Sequence, residues 1–133
     1  MTDIEKTIRK LVQFSPGFDK VWKEWLVEDE LYGDGDEITL YSVFSSYVLF
    51  VSENLDVDGA IDKPALFSYI ESSVKSGDYD LVNSVITCFL ETLVQFSGKY
   101  FKPENYFPYL HEESIISSKE WDEFNGHRTK GLW

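Results

Sequence analysis

Residues 81–94 read LVNSVITCFLETLV. Leu81 and Val82, Val85 and Ile86, Phe89 and Leu90, Leu93 and Val94 form apolar doublets four residues apart. That spacing places one apolar stripe along a helix. Asp78 precedes the run as a candidate N-cap, and Gly98 follows it as a candidate terminator. The run is the most regular in the chain, so this helix is expected at the centre of the core.

The rest of the chain is read outward from it. Upstream, Leu66, Phe67, Ile70 and Val74 share a helical face. That helix is expected to start near Asp62 or Lys63, with Pro64 in its first turn and Gly77 past its end. Before it, residues 38–55 carry Leu40, Phe44, Tyr47, Val48, Val51 and Leu55 at helical spacing. The segment TLYSVFSSYVLFV is also rich in aromatic and β-branched residues, so a strand is the competing reading. Its length and the lack of an internal turn signal favour a helix.

Two helices are expected before that. Thr2 and Glu5 have capping-box spacing ahead of Ile4, Ile8, Leu11 and Val12. Ser15 is placed to cap a second helix, with Pro16 at its first position and Phe18, Val21, Trp22, Trp25 and Leu26 on its apolar face. Downstream, residues 99–110 read as a turn-rich linker that still packs, and residues 112–124 as a last helix ended by Asn125-Gly126. The tail GHRTKGLW is expected to be mobile unless Trp133 docks. The sum is one all-α domain over residues 1–133, a compact bundle of five or six helices.

Composition bounds the function. Aromatic residues make up 17% of the chain, enough for a real core. The formal net charge is −12, which repels nucleic acid and anionic membrane and complements a basic protein. Acidity also simply aids solubility. The longest apolar run, Tyr47 to Val51, is far short of the roughly 18 residues of a membrane span. The N-terminus is charged where a secretory signal is apolar, and Cys88 is the only cysteine, so a cytoplasmic protein without disulfides is expected.

Sites with chemistry are sparse. His111 and His127 are 16 residues apart and Cys88 sits on the apolar helix, where it reads as a buried small hydrophobe, so no zinc spacing exists. A calcium loop starting at Asp56 would place Ile61 sixth and Phe67 twelfth, where glycine and glutamate are needed. There is no GxSxG, P-loop or GxGxxG segment. No cofactor, metal or enzymatic activity is expected.

The charge distribution is more informative. No lysine, arginine or histidine lies between Lys23 and Lys63, and the 39 intervening residues hold 11 acids. Glu28, Asp29, Glu30, Asp34, Asp36 and Glu37 form a contiguous cluster, and Asp56, Asp58 and Asp62 a second one that extends it if the chain returns to the same side. These nine are the candidate partner-binding residues. A solvated turn is the plainer account of the same run.

The last third adds a likeness. ITCFLETLVQ at 86–95, PYLHEESI at 108–115 and KEWDEFNG at 119–126 resemble segments of a family of uncharacterised small helical bacterial proteins. Those proteins are similar in size and charge to the immunity proteins of bacterial toxin systems, including contact-dependent growth inhibition. The resemblance covers residues 86–133 and rests mainly on apolar motifs. It implies a protein that binds a cognate toxin domain, a basic nuclease by charge, as a monomer or in a 1:1 complex. It carries no catalytic residue. The alternatives are an acidic interaction adaptor with no toxin partner, and a small hydrolase whose site has no sequence signature.

Overall fold

A computed structural model describes residues 1–33 and 37–133, with Tyr32 described by its backbone alone. Asp34 and Asp36 therefore lie outside the described residues. The described chain is all-helical, its only β pairing being an isolated bridge between Ser97 and Phe101. It contains α1 (Asp3–Phe14), α2 (Phe18–Tyr32), α3 (Leu40–Asn54), α4 (Lys63–Val74), α5 (Tyr79–Ser84), α6 (Glu91–Gln95) and α7 (Glu112–Phe124). Short 3-10 turns at Pro103–Asn105 and Phe107–Tyr109 fill the linker before α7. None of the described helices is long and apolar enough to cross a membrane.

Among the described residues seven α-helices replace the expected five or six, and the reason lies in the opening motif. Its doublets recur every four residues, while an α-helix has 3.6 residues per turn. From Leu81 to Leu93 an α-helix would drift by about 120° and carry the later doublets off the core face. The chain answers with a π-helical turn at Val85–Leu90 that joins α5 to α6. The wider turn absorbs the surplus. Val85, Phe89, Leu90, Leu93 and Val94 all stay buried. Cys88 sits on this turn half-buried, more open than a small core residue.

The α5–π–α6 rod packs against α3, and these two form the middle of the molecule. α3 buries Val43, Phe44, Ser46, Tyr47, Val48, Phe50 and Val51, an arc of about 200°, while Tyr41, Ser45, Leu49 and Glu53 stay exposed. With so wide a buried arc, and with Tyr41 and Leu49 apolar on the open side as well, the amphipathic period is blurred, which is why the segment also reads as a strand. Tyr47 meets Phe18 edge-on at 5.0 Å and Phe89 at 6.0 Å, and Phe89 meets Phe67 at 6.1 Å. The Tyr47 hydroxyl shares a 2.8 Å hydrogen bond with Ser15 Oγ. Burial pushes the Tyr47 phenol well above its ordinary pKa, against the opposing pull of that hydrogen bond. Ser15 is thus held by α3 and does not cap α2, which starts at Phe18 after Gly17.

α7 is anchored by two buried carboxylates. Its N-terminus has no side-chain cap of its own. Glu71 of α4 supplies one: its carboxylate accepts the Glu113 N–H at 2.9 Å, the Ser114 N–H at 2.9 Å and the Ser114 hydroxyl at 3.0 Å. Burial alone would raise the Glu71 pKa. The hydrogen bonds from Glu113 and Ser114, with the nearby His111 charge, outweigh it and hold the group below its ordinary value. At the other end Gly126, at φ +64°, turns the chain back over α7. Asp122 there accepts the Thr129 N–H at 2.7 Å, its hydroxyl at 2.9 Å and the Trp133 indole N–H at 2.9 Å. Trp133 therefore docks, and the tail is packed, with Thr129 and Leu132 buried.

Candidate interaction surface

α2 and α3 pack side by side, and their outer faces leave a groove of about 250 Å³ between them. It runs from Val21 to Glu28 on α2 and from Ser46 to Glu53 on α3, about two helical turns on each. Val21, Trp25, Leu49 and Phe50 supply its apolar surface, and Glu24, Glu28 and Glu53 its carboxylates. Leu49 is 66% exposed, so the lip is apolar as well as the floor. Outside the groove Val27 and Leu31, one helical turn on from Glu24 and Glu28, are also exposed.

No basic side chain lines this groove. Lys20 approaches Glu24 to 3.9 Å, but both are largely exposed, and a pair in that setting is weak. Among the described residues, Glu28 and Glu53 make no ion pair. A surface of this kind can receive a cationic side chain whose stem is apolar. Compared with protein-family models, curated proteins and solved structures, the chain matches none.

Of the nine sequence-derived residues, the seven that are described are dispersed. Only Glu28 lines the groove, joined there by Glu24 and Glu53. Asp29 and Glu30 follow on the last turns of α2, where the helix dipole disfavours negative charge. Glu37 lines a different hollow of about 310 Å³, with Asp3 of α1 and Asp78 and Asp80 at the start of α5. Asp56, Asp58 and Asp62 lie beyond the far end of α3, a helix about 22 Å long, and do not extend the first cluster. Asp56 pairs with Lys102 at 3.4 Å, and Asp62 caps α4 by accepting the Ala65 N–H at 3.2 Å. Asp58 is exposed in the connecting loop.

Glu24 and Glu53 belong to the same cation-free run but were not picked out, because linear clustering misses residues that helix pairing brings together. The available signal was the four-residue spacing of Glu24 and Glu28 on the polar side of α2.

Other chemistry is thin. Among the described residues, no group of three or more His, Cys, Asp or Glu side chains is arranged to hold a metal ion. Glu71 and Asp122 are buried carboxylates, but their contacts are made by the chain's own N–H and O–H donors. They hold α7 and the tail in place.

Proposed function

We propose that this protein is an immunity-type inhibitor that binds a basic toxin domain, a nuclease by its charge, and blocks it by steric and electrostatic occlusion. The observation that carries the reading is the α2–α3 groove: three carboxylates around an apolar floor, with no basic side chain among its lining residues. Carboxylates gathered on one face repel one another in the free protein, and a basic partner relieves that repulsion on binding. The resemblance of residues 86–133 to small helical bacterial proteins supports the same assignment. No turnover is involved; the inhibitor acts by staying bound in the cytoplasm, where a nuclease would do its damage.

The test uses the toxin domain that this reading places in the gene immediately upstream. Glu24, Glu28 and Glu53 are replaced together by Gln, and in a second variant Glu28, Asp29 and Glu30 by Ser. Both variants should fold, because these side chains lie off the buried faces. The groove variant should associate with the toxin about tenfold more slowly at low salt, lose most of its salt dependence and protect cells poorly. Full protection and unchanged association by both variants would rule the groove out.

A second reading is favoured by α7. Phe124 is 85% exposed and Ile116 42%, and Trp121 stacks on Phe124 at 6.4 Å. An adaptor with no toxin partner would use this apolar face. Phe124→Ser should then abolish binding, while the glutamate variants leave it intact.

A further inference from the structure

We infer that the α2–α3 groove is built to receive arginine side chains of its partner in preference to lysine. The inference rests on the inhibitor reading for the existence of a basic protein partner and adds the chemistry of the contact. Trp25 lines the groove and lies parallel to Trp22, with ring centroids 4.8 Å apart and planes 9° apart. Trp22 is buried, so the indole of Trp25 rests on a fixed support. One of its faces is covered by Trp22, and the ring lines the groove with part of the surface that remains.

An indole beside carboxylates suits the two cations unequally. A guanidinium is planar and weakly hydrated, so it stacks on an aromatic ring and still presents its N–H fork to a carboxylate. Glu24 and Glu28 are one helical turn apart on α2, and Glu53 faces them from α3. A fork seated against Trp25 can bond a carboxylate with two parallel N–H donors. An ammonium is compact and strongly hydrated, and the apolar surface of Val21, Leu49 and Phe50 would strip its water without replacing it. The same surface accepts the three-carbon stem of an arginine. Charge alone would favour any basic peptide; the stacked indole and the apolar floor are what separate arginine from lysine.

The experiment is calorimetric titration of the full chain with an acetylated, amidated hexaarginine peptide and with its hexalysine counterpart. The parent protein should bind hexaarginine roughly tenfold more tightly. Trp25→Leu and the combined Glu24→Gln, Glu28→Gln, Glu53→Gln variant should each reduce hexaarginine to the hexalysine level. A control with Glu5→Gln, Glu120→Gln and Glu123→Gln, exposed acids outside the groove that remove the same charge, should keep the preference. Trp25 packs on Trp22, so its variant is read only if its melt is cooperative; the glutamate variant decides otherwise.

Equal affinity for the two peptides, or an equal loss of preference in the control, overturns the inference. The outcomes separate it from the inhibitor reading. A groove that captures the toxin without arginine preference leaves the inhibitor standing and removes this selectivity. A clear preference in a protein that neutralises no toxin supports the groove chemistry and removes the inhibitor.

Discussion

Phe89→Ala is expected to destabilise the protein by about 3–5 kcal/mol in denaturant titration, a large part of the stability of a domain this size. Phe89 is fully buried on the π turn, between Tyr47 of α3 and Phe67 of α4. Truncation removes apolar burial and leaves a cavity. The two neighbours that could fill it are constrained: Tyr47 by its hydrogen bond to Ser15, and Phe67 by its stack on Tyr109. Relaxation should therefore be small and the cost near the upper range. A loss under about 1 kcal/mol would show that the centre of the core lies elsewhere.

Glu71→Ala is expected to cost about 3 kcal/mol and to release the first turn of α7. It leaves the N–H groups of Glu113 and Ser114 without their acceptor at a helix start that has no side-chain cap of its own. Amide exchange should rise first at Ser114, ahead of any change in α3. The pH dependence follows from the lowered Glu71 pKa. In the unfolded chain the group titrates near its ordinary 4.5, and in the folded protein lower. Its stabilisation is present above about pH 4.5 and is lost as pH falls through the folded value. Glu71→Gln should flatten that part of the acid limb. An acid limb identical to that of the parent would mean other carboxylates set it.

What could be read in advance depended on whether a residue's partner was near in sequence. α7 was expected at 112–124 and spans Glu112–Phe124, because its boundaries are set by neighbours such as Asn125 and Gly126. The start of α4 at Asp62 and the Asp78 cap were legible for the same reason. Ser15 was misread because its partner, Tyr47, lies 32 residues away. Glu71 was passed over although it sits among Phe67, Ile70 and Val74; an acid on an apolar stripe signals a distant donor, here 42 and 43 residues on.

The surface divides in the same way. The cation-free stretch from residue 24 to 62 contains Glu28, Glu24 and Glu53. Adjacency in sequence did not group these three. It grouped Glu28 with Glu37, which lies in another hollow, and admitted Asp56 and Asp62, which hold Lys102 and the start of α4. Only the pairing of α2 with α3 assembles the groove.

The wide turn in the central rod also means that the rod carries one residue more than an unbroken α-helix would need. In genetic terms this is a spare codon. Loss of Thr87, which is exposed on that turn, shortens the step from Val85 to Phe89 to three and leaves the step from Phe89 to Leu93 at four. Alternating threes and fours are the ordinary rhythm of an α-helix. The shortened chain should close into a continuous helix with Leu93 and Val94 still inside. Loss of Ser45 from α3 has no such outlet: every later side chain of that helix, beginning with Ser46 and Tyr47, would swing by about 100° relative to those before it. Among single-residue deletions, loss of Thr87 should therefore be tolerated and loss of Ser45 rejected.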